Sequence, residues 1–127
     1  MRNRIVGTLA IVALAALAFA HDSKASAKPQ TMNGYLVDVA CSSENAEKPK
    51  AEFGAKHSKR CLQMPECEES GYALLTADNK VIKFDKESNE SAKKFIASTD
   101  HDKDWKVAVT GTMNNDNTLK VEKIALQ

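Results

Sequence analysis

Short runs of alternating apolar and polar residues recur from residue 31 to the end of the chain. Alternation with a period of two residues is typical of β-strands that have one buried face. The pattern predicts five strands, over residues 35–40, 72–76, 81–85, 105–113 and 119–126. In the last run the spacing of the apolar positions changes from two residues to three near Lys123, which predicts a β-bulge at that point.

Between the third and fourth predicted strands, residues 88–99 follow a helical period instead. Ser88 or Asn89 can cap the start of this segment, because both side chains accept hydrogen bonds from backbone N–H groups. One face of the segment is apolar, with residues at i, i+3 and i+4 spacing: Ala92, Phe95 and Ile96. We therefore predict a short amphipathic helix at this position.

A long insertion separates the first and second predicted strands. Residues 42–56 are mostly charged or polar and predict a solvent-exposed loop, with Phe53 as its anchor into the core. Pro65 suits the first position of a helix, acidic residues follow it, and Gly71 is a natural helix stop. These signals predict a short helical turn over residues 65–70.

The predicted order is strand, insertion, strand, strand, helix, strand, strand. This is the order of an OB-type barrel, whose strands close against one another and hide their edges. We predict one mainly β domain over residues 31–127. It is an OB-like five-stranded barrel with one α-helix between strands 3 and 4 and a Cys/His-bearing insertion between strands 1 and 2.

Residues 1–20 have the pattern of a signal peptide. Arg2 and Arg4 form a basic start, and residues 5–17 form an apolar segment that is short for a membrane span. The Ala-Phe-Ala sequence that ends at Ala20 is a small-x-small cleavage site. The sequence thus predicts an exported protein with a periplasmic or secreted location.

A second possible cleavage site ends at Ala27. Residues 21–30 are polar and show no periodicity, so we interpret them as a flexible N-terminal tether. No later apolar run approaches the length of a membrane span. We therefore expect no membrane insertion after signal cleavage.

The charge balance argues against nucleic acid as a partner. The whole chain has 18 lysines and arginines against 17 aspartates and glutamates. Loss of Arg2 and Arg4 leaves 16 basic residues, so the mature chain has a charge near −1. Lysines and glutamates are also interspersed, and no basic field is left to attract a phosphate backbone. A protein or a small ligand is the expected partner.

The candidate chemistry lies in the insertion. All three cysteines of the chain and one histidine occur there with the spacing C-x15-H-x3-C-x5-C: Cys41, His57, Cys61 and Cys67. Three thiolates and one imidazole form a Cys3His set, which suits tetrahedral zinc. Met64 adds a soft thioether, so copper(I) is a second candidate. The four residues are the predicted metal ligands.

A disulfide is the alternative interpretation, because thiols pair in an oxidising compartment. An odd number of cysteines leaves one thiol over, and the candidates are Cys41, Cys61 and Cys67. A bridge from Cys41 to either partner closes a loop of about 20 to 26 residues and contributes roughly 3 kcal/mol in the chain-entropy model. Pro65 interrupts any helix between Cys61 and Cys67, so that pair also stays open.

A thiol-based redox protein is the third interpretation, since a histidine can activate a nearby cysteine. Asp38 can orient His57, although a turn or edge carboxylate is the more common role for such a residue. No oxyanion motif has recognisable spacing. The residues therefore favour a non-catalytic domain over an enzyme, and no catalytic residue is assigned.

Two sets of residues carry a resemblance to known proteins. Residues 107–113 followed by residues 118–124 resemble the last two strands of small exported bacterial OB-like domains. The pieces Asp38-Val-Ala-Cys41, His57 and Cys61-x5-Cys67-x3-Gly71-Tyr-Ala-Leu-Leu resemble a cysteine-bearing, functionally unassigned subgroup of them. The resemblance implies the fold and the periplasmic location, and it implies no chemistry. The predicted function is an exported binding module that holds zinc or copper.

Overall fold

The computed structural model describes residues 28–127, so the predicted signal peptide and residues 21–27 of the predicted tether lie outside the described residues. The described chain contains five strands: β1 Gln30–Asp38, β2 Tyr72–Thr76, β3 Val81–Lys83, β4 Lys106–Met113 and β5 Leu119–Leu126. It also contains five helices: α1 Val39–Glu44, α2 Lys50–Lys56, α3 Lys59–Leu62, α4 Pro65–Ser70 and α5 Lys86–Ser98. None of these helices is long and apolar enough to cross a bilayer.

The five strands form one antiparallel sheet in the order β3-β2-β1-β4-β5. This confirms the predicted mainly β fold with five strands. The predicted β-bulge is confirmed as well, because the pairing of β5 with β4 passes from Lys123 to Val121 and skips Glu122. The first strand is one correction: it ends at Asp38 rather than at residue 40, because the chain turns there into α1.

The sheet is not a closed barrel in the described part of the chain, so the predicted closure is not confirmed. Its edge strands β3 and β5 form no ladder with each other. They approach only at an isolated bridge between Phe84, just after β3, and Leu119 at the start of β5. The strand β3 has only three residues, and the bridge lies just beyond its end.

The helix α5 lies between β3 and β4 as predicted, and α4 spans residues 65–70 as predicted. The prediction of a single helix is nevertheless wrong, because the insertion also contains α1, α2 and α3. Residues 42–56 are therefore not the expected loop. Phe53 does pack against buried residues of the sheet, as predicted, and this packing favours helix in a stretch without a helical pattern.

The sheet is covered on both faces. Residues that alternate along β1 belong to different clusters: Leu36 joins the larger core with Trp105, and Val37 joins a smaller one beside Phe53. Close packing under α2 requires a glycine, because a Cβ atom at Gly54 would lie 2.4 Å from ring atoms of Tyr35. Since β1 is central and covered on both sides, its last residues are inaccessible to solvent.

Candidate metal centre

Asp38 is the last residue of β1 and is completely buried. It is also the N-cap of α1, where its Oδ1 accepts a hydrogen bond from the backbone N–H of Cys41 at 2.8 Å. The side chain of an N-cap aspartate accepts a hydrogen bond from the backbone N–H of the third helical residue. The local sequence therefore places Cys41 next to the carboxylate. The strand end thus brings a carboxylate and a thiol together.

His57 ends α2 and reaches the same carboxylate. Its side chain is 4% exposed, its backbone N–H bonds the carbonyl of Phe53, and the two rings lie 5.0 Å apart. The distance from His57 Nε2 to Asp38 Oδ2 is 2.6 Å. An ionised carboxylate can only accept a hydrogen bond, so His57 Nε2 carries a hydrogen atom and donates a hydrogen bond to Asp38.

Cys67 lies on α4 and is buried, with its Sγ 3.6 Å from the Sγ of Cys41. Two hydrogen bonds hold the start of α1 against the end of α4. The Val39 N–H donates to Gly71 O at 2.9 Å, and the Ala40 N–H donates to Ser70 Oγ at 3.0 Å. The contact between the two thiols is therefore fixed by backbone packing.

Cys61 is placed differently. It is half-buried at the start of α3, where the N-cap Ser58 accepts a hydrogen bond from the backbone N–H of Cys61. The Ser58 hydroxyl also donates to Cys61 Sγ at 3.2 Å. All three cysteines are free thiols, so the structure contains no disulfide among the described residues.

Within residues 28–127, one group of side chains can hold a metal ion. Ligand atoms of Asp38, Cys41 and His57 all lie within 4.8 Å of one another. The group contains two of the four predicted ligands, together with a carboxylate that the sequence did not assign to the site. Cys61 and Cys67 lie outside this group, although Cys67 touches it through Cys41.

Asp38 was missed as a ligand because it lies inside a predicted strand, where it is interpreted as a turn or edge carboxylate that can orient His57. The signal that could have found it is the spacing Asp-x-x-Cys directly after an apolar strand. That spacing places the backbone N–H of the cysteine on the carboxylate, as an N-cap does. The cap becomes part of a cluster only because His57, at the end of α2, also contacts Asp38.

The charges of the cluster favour a cation. Burial acts to raise the pKa of Asp38, but the hydrogen bonds from His57 and from the Cys41 N–H outweigh it and lower that pKa. Burial and the negative charge of Asp38 raise the pKa of the Cys41 thiol. Burial raises the pKa of Cys67 as well. The thiols are therefore neutral around an anionic carboxylate, and a cation would favour their ionised form.

The separation of the two sulfurs fits a shared ion. Two cysteines that bind one tetrahedral zinc at about 2.3 Å have their sulfurs about 3.8 Å apart. Cys41 and Cys67 are separated by 3.6 Å. The pair is therefore already close to the spacing that a bound zinc ion would impose.

Comparison with models of protein families, with curated proteins and with solved structures gives no match for this chain.

Proposed function

We propose that this protein is a non-catalytic binding module that holds a transition metal, with zinc as the preferred ion. The ligands are Asp38, Cys41, His57 and Cys67. The observation that carries the proposal is the buried cluster with ligand atoms within 4.8 Å of one another, extended by Cys67 through the sulfur contact. Cys67, rather than Cys61, supplies the second sulfur.

The donor set supports zinc over copper(I). Two thiolates, one imidazole and one carboxylate are all common zinc ligands, whereas copper(I) selects soft sulfur donors. Met64, the thioether that would favour copper, has a 43% exposed side chain. A metal ion would replace the hydrogen bond between His57 and Asp38, because both atoms would turn their lone pairs to the ion.

The role of the metal in this proposal is structural. Its ligands come from the end of β1, from α1, from the end of α2 and from α4, so the ion ties the insertion to the sheet. Raised thiol pKa values oppose a free thiolate nucleophile, which supports a binding role over a catalytic one. The partner on the outer surface is a protein or a small ligand.

We also propose that the fold is an OB-like barrel and that the protein is exported. The bridge between Phe84 and Leu119 supports the first point, since the edges of such a barrel meet where β3 and β5 approach. The basic and apolar pattern of residues 1–20 supports the second.

The proposal is tested by metal titration of the reduced protein under argon. Cobalt(II) serves as a visible substitute for zinc, because thiolate ligands give a charge-transfer band and tetrahedral geometry gives strong d–d absorption. We expect one equivalent of cobalt to bind and one equivalent of zinc to displace it. If the protein binds copper(I) but not zinc, the proposed ion changes from zinc to copper(I). If it binds neither ion, the proposal is refuted.

Four variants assign the ligands. Loss of binding in Cys41→Ser, Cys67→Ser and His57→Gln, with retention in Cys61→Ser, is the expected result. The glutamine side chain in His57→Gln keeps an N–H group for Asp38 but is a poor metal ligand, so this variant separates ligation from folding. If Cys61→Ser also abolishes binding, the Cys3His set predicted from the sequence holds instead.

A further inference from the structure

We infer that Cys41 and Cys67 form a reversible disulfide by thiol exchange with a disulfide-containing molecule, and that this oxidation expels the metal. The release of metal rests on the proposed function. The pairing of these two cysteines does not, because it depends only on the geometry of the thiols.

The two sulfurs are prepositioned for bond formation. They lie 3.6 Å apart, which is van der Waals contact, and a disulfide requires about 2.05 Å. Backbone bonds from Val39 to Gly71 and from Ala40 to the Ser70 side chain already hold α1 against α4. The remaining approach can come from rotation of the two side chains, since their helices are already docked.

The third cysteine makes a different contact. Cys61 belongs to α3, and its thiol accepts a hydrogen bond from the hydroxyl of Ser58. Of the three pairings that the sequence left open, the structure shows sulfur–sulfur contact for Cys41 with Cys67. Cys61 stays a free thiol when this pair is oxidised.

The exchange proceeds in two balanced steps with glutathione disulfide as the probe. The Cys41 thiol loses its proton and its sulfur attacks one sulfur of the probe, so that the sulfur–sulfur bond of the probe breaks and one glutathione thiolate leaves and takes up a proton. The Cys67 thiol then loses its proton in turn, attacks the mixed disulfide at the Cys41 sulfur and releases the second glutathione, which also takes up a proton. Two electrons pass from the protein thiols to the probe, which is reduced to two glutathione molecules.

The order of the steps follows from access. Cys41 is half-buried, whereas Cys67 is only 4% exposed. An external disulfide therefore reaches Cys41 first, and Cys67 acts as the resolving thiol from inside. In a Cys67→Ser variant the mixed disulfide should accumulate at Cys41, since no thiol is left to resolve it.

A disulfide at this position is incompatible with the proposed ion. The thiolate is the form of cysteine that binds the metal, and a sulfur atom in a disulfide is not a thiolate. Oxidation leaves only the carboxylate of Asp38 and the imidazole of His57, which return to their 2.6 Å hydrogen bond. Metal-bound and disulfide-bonded protein are therefore mutually exclusive states.

The test uses the full reduced chain loaded with zinc and treated with glutathione disulfide. Zinc release is followed with a chromophoric indicator, and free thiols are alkylated and mapped by mass spectrometry. We expect the three free thiols to fall to one, at Cys61, together with complete loss of zinc and recovery of binding after dithiothreitol. A Cys61→Ser variant is the matched control and should lose its zinc in the same way.

The outcomes separate this inference from the proposed function. If zinc never binds but a Cys41–Cys67 disulfide forms, the proposed function fails and the pairing stands. If zinc binds and is retained while the probe is reduced, the release is refuted and the metal site stands. A disulfide that includes Cys61, or a glutathione adduct on Cys61 as the only product, overturns the pairing itself. The His57→Gln variant should form the same disulfide without any metal.

Discussion

Asp38 serves two neighbours with its two carboxylate oxygens. Oδ1 caps α1 and Oδ2 accepts a hydrogen bond from His57 Nε2, so a fully buried charge has hydrogen bonds at both oxygens. A buried carboxylate is strongly destabilising when its partners are removed, because the desolvation cost remains. Loss of either hydrogen-bond partner of Asp38 should therefore destabilise the fold even without a metal.

The first prediction concerns Asp38→Asn in the metal-free protein. The asparagine side chain of this variant can still cap α1, but it loses the charge-assisted bond to His57, so we expect a loss of about 1–3 kcal/mol in the free energy of unfolding. Chemical denaturation measures this loss. The exposed Asp78→Asn is the control, and its effect should stay within about 0.5 kcal/mol.

Asp38 should also make the free energy of unfolding fall at acidic pH. The folded protein lowers the pKa of Asp38, so its contribution is fully present above the unfolded pKa of about 3.9 and is lost as the pH falls through the lower folded pKa. Denaturation curves between about pH 5 and pH 2 should show this fall in the wild type. If the free energy of unfolding of Asp38→Asn falls equally steeply over this pH range, the acid dependence does not come from Asp38.

At the scale of the element, α2 decides whether His57 reaches the site. The helix has no side-chain N-cap, and it is held by the contact of Phe53 with the smaller core and of Gly54 with Tyr35. His57 follows the last helical residue directly, so any shift of α2 moves the imidazole. The helix is therefore a positioning element for the cluster.

Gly54→Ala tests this contact. The new methyl group would meet the Tyr35 ring at 2.4 Å, so α2 must move outwards. We expect a loss of about 1–3 kcal/mol in the free energy of unfolding, although alanine is the better helix former. The affinity for cobalt should fall as well, since His57 moves with the helix. Glu52→Ala, an exposed change on the same helix, should alter neither by more than about 0.5 kcal/mol.

At the scale of the whole molecule, the cluster joins the sheet to three helices of the insertion. If zinc binds only the folded chain, it stabilises the protein by about 2.7 kcal/mol at a free concentration one hundred times its dissociation constant. Thermal unfolding with and without zinc measures this effect. A chelator should reverse it, and the Cys41→Ser variant should show no shift in its melting temperature.

Zinc binding should also release protons. Both thiols are neutral in the free protein because burial raises their pKa, so each thiolate ligand must lose one proton. We expect the affinity to drop by about one hundredfold for each unit of decrease in pH near neutrality. Calorimetry in two buffers of different ionisation enthalpy counts the protons. A pH-independent affinity would exclude two thiol ligands.

Several elements could be predicted from the sequence because their signals are local. The strand β2 is bounded by Gly71 and a polar turn. The strand β5 has clear alternation of apolar and polar residues, with one change of spacing at the bulge. The helix α4 begins at a proline and ends just before Gly71, whose φ of 85° suits glycine. The amphipathic α5 was also predicted, except that it begins two residues earlier, because Asp85 rather than Ser88 accepts the capping bond.

The insertion could not be predicted in the same way. Residues 42–56 have no helical period, and their helices depend on contacts with the sheet that are distant in sequence. The barrel prediction rests on strand order, but closure also depends on pairing between the edge strands, and β3 and β5 approach only at the bridge between Phe84 and Leu119.

The sequence by itself determined the five strands, two of the helices and the set of thiols and imidazole available for chemistry. These properties follow from side-chain spacing and from turn and cap residues, which act over a few positions. Tertiary structure alone decided which groups meet: Asp38 with His57, and Cys41 with Cys67. Contacts between residues 19 and 26 positions apart depend on how the helices dock on the sheet, and docking is a property of packed surfaces rather than of local pattern.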